Sequence, residues 1–129
     1  MTLPFNGAVI RVFGADNPDA MRGVRLDGVV LDEYADMRYG VWGELLRPAL
    51  SDRKGWAVFI GTPKGPNAFH KLWNETEGHK DWYRLMLRAS ESGLVDADEL
   101  ADAQQQMTDD QYAQEYECSF EAAIQGAYY

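Results

Sequence analysis

Two carboxylates stand side by side at the end of an apolar run, Asp32 and Glu33 in "GVVLDE". A second apolar run ends in a polar tip bounded by glycines, "FIGTPKG", which carries Thr62 between Gly61 and Pro63. Adjacent residues on a strand point to opposite sides, so the two acids can serve two stations without crowding one. Phosphoryl transfer uses such a pair. The first acid holds Mg²⁺, often through water, and the second takes a proton from an attacking water. A threonine hydroxyl at a neighbouring tip can both donate and accept hydrogen bonds. The bland alternatives are two solvated loop acids at 32–33 and a plain strand-to-helix turn at 61–65.

Such groups need rigid elements to aim them. Branched and aromatic apolar content predicts strands at Ala8–Phe13, Gly28–Asp32, Trp56–Gly61 and Trp82–Ala89. The middle two are continuously apolar, as strands covered on both faces are. In the last, Arg84 and Arg88 share a face, which predicts a strand less deeply buried than those two. Helical spacing links Val41, Trp42, Leu45, Leu46, Ala49 and Leu50, with Pro48 placed to kink or shorten the helix. It links Ala68, Phe69, Leu72 and Trp73 in the same way, with Gly78 as a stop. Asp96 and Glu99 open a helix with Leu100, Ala103 and Met107 on one face. Thr108 and Gln111 form a capping box before a helix carrying Tyr112, Tyr116 and Phe120. Strands alternating with helices imply an α/β fold, a mainly parallel sheet flanked by helices. In such sheets chemistry gathers outside the carboxyl ends of the strands, where both polar tips fall.

The bulk composition narrows the options. A chain of 129 residues with 46% apolar content suits one folded domain. The formal net charge of -9 disfavours nucleic-acid binding by the chain alone, with Arg47, Arg53, Lys54 and Lys64 as the best local contacts. The single Cys118 excludes an internal disulfide framework, and His70 and His79 have no metal-ligand spacing. No apolar run approaches the roughly 20 residues that span a bilayer. "MTLPFNGAVI" lacks the charged start of a signal peptide, so a cytoplasmic setting is expected. Asp96, Asp98, Asp102, Asp109 and Asp110 fall at helix starts and exposed helix positions, where capping and solvation account for them better than a metal nuclease does.

Three separated segments, "ADNPDAMRGVRLDGVVLDEYADM", "FIGTPKGPNAFHKLW" and "YAQEYECSFEAAIQGAYY", resemble the large subunit of tailed-bacteriophage terminases, the DNA-packaging motor, in the family's order. The resemblance runs from about Gly7 to Tyr129. It implies part of an ATPase domain of the additional-strand P-loop type, with 121–129 as the start of a linker to a nuclease domain. By residue, it implies Asp32 as the Walker B acid holding Mg²⁺ through water and Glu33 as the catalytic glutamate. Gly61, Thr62 and Pro63 match the coupling motif, with Thr62 sensing the γ-phosphate. Arg22 is implied to reach phosphate or a neighbouring subunit, a surface salt bridge being the alternative. Ser90 and Glu91 fall where the family carries further site-adjacent residues, a loop cap being the alternative. ATP and Mg²⁺ are the implied cofactors of the whole protein. Double-stranded DNA, the portal and the small terminase subunit are its implied partners, in the cytoplasm of a bacterial host.

No G-x-x-x-x-G-K-[ST] phosphate loop occurs in these residues. The chain is therefore expected to be the Walker B and coupling half of the domain, inactive alone and without tightly bound cofactor. A missing central strand would leave sheet edges open. Expected remedies are closure of Trp82–Ala89 onto Trp56–Gly61, a homodimer, or cover by a terminus. The competing functions are half of a helicase-like P-loop ATPase and a non-enzymatic interaction module.

Overall fold

The computed structural model describes residues 1–121, so the expected linker at 121–129 lies outside them apart from Glu121. The chain forms two compact units, residues 1–31 with 37–58, and residues 32–36 with 59 onward. It passes from one to the other at the carboxyl ends of two strands, β1 (Gly28–Leu31) and β2 (Trp56–Phe59). The strands are neighbours and run parallel: Trp56 N–H donates to the Asp27 carbonyl at 3.1 Å, and beyond the other ends Tyr34 N–H donates to the Ile60 carbonyl at 3.0 Å. The chain is thus α/β, with a parallel pair of strands and helices.

The first unit gathers Met21, Leu31, Val41, Leu46 and Leu50 into its core, with Leu31 only 1% exposed. A short 3₁₀ helix, Pro18–Met21, starts after the turn residue Asn17. The amphipathic stretch after β1 is helical but not uniform. Val41–Leu46 is a π-helix, and α1 (Arg47–Ser51) follows it. Pro48 explains the change, because it has no N–H for the Glu44 carbonyl and its ring crowds that oxygen. The chain widens one turn instead, and Arg47 N–H reaches back to the carbonyl of Trp42.

Two expected strands do not form. Among the described residues the only pairing of Ala8–Phe13 is an antiparallel bridge between Val9 and Thr2, and Val12 is 95% exposed. Residues 82–88 are without strand pairing, and the expected closure onto β2 is not found, since the sheet among the described residues holds β1 and β2 alone. High strand propensity marks side chains that suit a pleated, half-buried surface; a ladder also needs a partner edge, which these residues lack. Within 82–88 no residue is fully buried, and the face that carries Arg84 is the more covered one. Arg84 lays its guanidinium 3.9 Å from the ring centre of Trp73, while Tyr83, Leu85 and Leu87 are exposed.

The second unit holds the remaining helices. α2 (Ala68–Glu75) is capped by Asn67, whose Oδ1 accepts from the N–H groups of Phe69 and His70. It ends before the buried Thr76, whose hydroxyl donates to the Leu72 carbonyl at 2.8 Å. A short α3 (Ala89–Ser92) precedes α4 (Ala97–Gln106), which starts after Asp96 and buries Ala103. α5 (Asp109–Glu117) opens with the expected capping box, both halves present between Thr108 and Gln111. Tyr112 and Tyr116 stack along α5 with ring centres 5.1 Å apart, and Phe120 stacks on His70 at 4.6 Å. Cys118 ends α5 in a left-handed turn and donates its thiol to the Leu87 carbonyl; burial pushes that thiol above its usual value.

Candidate functional site

The acid pair and the threonine lie in the second unit, on two turns that leave neighbouring strands. After β1 the chain exposes Asp32 and Glu33, then tightens into a 3₁₀ turn, Tyr34–Asp36. Glu33 takes a left-handed backbone, φ 52°, which a residue with a Cβ adopts only under constraint. Two hydrogen bonds supply that constraint. Glu33 N–H donates to Asp32 Oδ1 at 3.0 Å, and Asp36 N–H donates to the Glu33 carbonyl at 2.9 Å. Tyr34 is the anchor below them, buried with its ring edge-on to Phe59 and Phe69 at 4.8 and 5.8 Å.

The second turn closes against the first. The Tyr34 to Ile60 main-chain bond leads directly into Gly61. A Cβ there would sit 3.2 Å from the Phe69 ring and 3.4 Å from the Tyr34 nitrogen, so glycine permits this approach. Thr62 is half-buried, Pro63 and Gly65 are buried, and Lys64 is exposed. Lys64 Nζ meets Asp36 Oδ2 at 2.7 Å. The Asn67 amide donates to the carbonyls of Ala35 at 3.2 Å and Lys64 at 3.3 Å. Asp32, Glu33, Gly61, Thr62 and Pro63 therefore converge on one pair of adjoining turns.

Arg22 lies in the first unit. It is exposed, paired with Asp19 at 2.8 Å, and lines an open cleft of about 360 Å³ with Arg25, Glu44 and Asp52. That pairing is the surface salt bridge weighed against a phosphate role, and it is worth little by itself. Ser90 donates to Glu117 Oε2 at 2.8 Å and Glu91 pairs with Arg88 at 3.4 Å. Asp36 and Asn67 are contributors that motif reasoning passed over. Asn67 carried a signal, a capping residue type just before a helical stripe. The Lys64 to Asp36 pair spans 28 positions and carried none.

Electrostatics at the site follow from these contacts. The Lys64 ammonium is held above its ordinary value of 10.5, chiefly by its hydrogen bond to Asp36, with the charges of Asp36, Glu33 and Glu115 adding to it. Burial raises the Tyr34 phenol above 10.0. Both effects act in the same direction. Below the ordinary values the protons are present in folded and unfolded chains alike and the stabilisation is complete; above them the unfolded chain deprotonates first and stability falls. Tyr34→Phe is therefore expected to resist denaturant better than the parent above about pH 10 relative to pH 8. Urea midpoints of both proteins at pH 8 and 11 check this; equal differences at the two pH values would contradict it.

Among the described residues no three His, Cys, Asp or Glu side chains gather as a metal site. Asp32 offers one exposed carboxylate with one oxygen already bonded to the Glu33 N–H. Mg²⁺ bound through one carboxylate, waters and phosphate oxygens asks no more of the protein, so the residues fit that ion in the presence of a nucleotide.

The chain is similar to known proteins. The family described as "Terminase large subunit, T4likevirus-type, N-terminal" matches residues 1–129. Terminase large subunits of Thermus phage G20c and Thermus virus P23-45 are each 51% identical over 59 residues, 46% of this chain and 12% of theirs. That of Escherichia phage T5 is 26% identical over 121 residues, 89% of this chain and 27% of its own length. The large terminase ATPase domain of Thermus phage P74-26 superposes with a TM-score of 0.72 at 31% identity, over 82% of this chain and 48% of that domain. An arginine-to-alanine mutant of that domain superposes equally well, at 30% identity. The chain thus spans no more than 27% of the length of these curated relatives. With the whole of its length matched, the chain belongs to the family of terminase large subunits, T4-like type, N-terminal region.

Proposed function

We propose that these residues are the Walker B and coupling half of a packaging ATPase of additional-strand P-loop type, which drives double-stranded DNA into a phage capsid. The observation that carries the reading is the joining of the two turns, with Tyr34 N–H on the Ile60 carbonyl between the acid pair and Thr62. Asp32 would hold Mg²⁺ through water at the strand end. When bound, that ion neutralises charge on the β- and γ-phosphoryl oxygens. Glu33, exposed and held in its left-handed turn, would accept the proton of the attacking water. Thr62, between Gly61 and Pro63 on the facing turn, would sense the γ-phosphate through its hydroxyl and relay its loss to the parts that move DNA. Arg22 would exchange Asp19 for a phosphate or a neighbouring subunit.

The phosphate loop then lies outside these 129 residues, and the portal and the small terminase subunit would be partners of the whole protein, in the cytoplasm of an infected host. The large terminase ATPase domain of Thermus phage P74-26, of which this chain covers 48%, supports this division. The 129-residue chain alone is accordingly expected to hydrolyse no ATP above the buffer rate with Mg²⁺ present. Phosphate release measured with and without Mg²⁺ tests this, and turnover abolished by Glu33→Gln would overturn the inactivity of the chain.

A further inference from the structure

The Lys64 to Asp36 pair is on the surface, with side chains 35% and 53% exposed, and an isolated pair of that kind contributes little. This one is not isolated. Ala35, next to Asp36, is bonded across the same gap. Asn67 joins the Ala35 carbonyl to the Lys64 carbonyl through one amide group, and its oxygen is fixed by the Phe69 and His70 N–H groups at the start of α2. Both donors and both acceptor sites of the Asn67 side chain are therefore engaged. Tyr34 N–H on Ile60 closes the other end of the contact. Three links thus hold two turns of a few residues each. One of them ends at Asp36, whose own N–H holds the carbonyl of Glu33 in its left-handed turn.

We propose that Lys64, Asp36 and Asn67 form a latch that fixes the turn bearing Thr62 against the turn bearing Asp32 and Glu33, and that they are positioning residues for hydrolysis. The proposal rests on the reading of Glu33 as the base and Thr62 as the sensor. Its physical content is separate: the three side chains set the geometry between the turns, touch no nucleotide themselves, and transmit displacement of one turn to the other. Charge at positions 36 and 64 matters only as a pair, so its sign can be exchanged between them.

The test uses a full-length terminase large subunit carrying this segment. Lys64→Gln and Asp36→Asn are each expected to lower kcat for ATP about tenfold with KM within about twofold, as loss of alignment does without loss of binding. The exchanged pair, Asp36→Lys with Lys64→Asp, is expected to recover most of that loss, and Lys64→Arg to retain activity. Hydrogen exchange of the Tyr34 amide is read in the same proteins and is expected to quicken about tenfold in the single variants and to slow again in the exchanged pair. Single variants with the parent's kcat, or an exchanged pair as slow as the product of the two singles, would overturn the latch. Should a single variant fail to fold, the exchanged pair and Lys64→Arg still decide by the same measurements. Glu33→Gln separates the two readings. If it leaves turnover intact while the single variants still quicken Tyr34 exchange, the hydrolytic reading falls and the mechanical latch stands. If it stops turnover while the single variants match the parent, the latch falls alone.

Discussion

Glu33→Gln is expected to slow ATP turnover by about 10²- to 10⁴-fold in a full-length large subunit carrying this segment, the usual contribution of a positioned general base. The substitution keeps size and shape, and glutamine can follow the same left-handed backbone, φ 52°. The Glu33 N–H to Asp32 and Asp36 N–H to Glu33 carbonyl bonds use main-chain atoms of residue 33, so they survive the change. What is lost is the ability to take a proton from water. Nucleotide affinity should change little, because Asp32 is the residue assigned to the ion. Steady-state kinetics with a fluorescent-nucleotide binding curve checks both halves. Turnover within tenfold of the parent would remove Glu33 from the chemistry.

Tyr34→Ala carries the largest expected effect on stability. The ring is 7% exposed and lies edge-on to both Phe59 and Phe69. Truncating a buried aromatic to alanine costs about 3–5 kcal/mol through lost transfer energy and the cavity left behind. Edge-on aromatic pairs add about 0.5–1.5 kcal/mol beyond area. Against a total of roughly 5–15 kcal/mol for a domain, that leaves the second unit marginal. Thermal unfolding should move down by about 10 °C or more. A fall of less than about 1 kcal/mol would mean the cavity collapses or the ring is not anchored as described. Tyr34→Phe keeps the ring and serves as the control that separates packing from the phenol.

Motif reasoning placed the acids and the threonine at neighbouring strand ends because apolar runs of branched residues name strands, as β1 and β2 are, but the cover expected on both faces is not found: Val30, Trp56 and Val58 are exposed. Helix starts were equally readable, since Thr108 with Gln111 is a local signal closed within one turn. Pairing was not readable. Ala8–Phe13 and Trp82–Ala89 have strand-forming side chains, yet a ladder depends on an edge supplied from elsewhere in the chain. Nor was the covered face of 82–88 readable, because Arg84 lies over the Trp73 ring, a contact between residues far apart in sequence. The same limit hid the Lys64 to Asp36 pair. Asn67 was legible as a cap, but its second task, bonding the Ala35 carbonyl, was not.

The backbone of Glu33 has an implication for anyone redesigning the segment. A side-chain-bearing residue at φ 52° carries a penalty on the order of 1–2 kcal/mol that glycine would escape and asparagine would lessen. Algorithms or selections that reward robustness alone will therefore write one of those two residues at this position. Libraries drawn from this scaffold should freeze residue 33 from the outset, or their sturdiest survivors will have traded away their carboxylate.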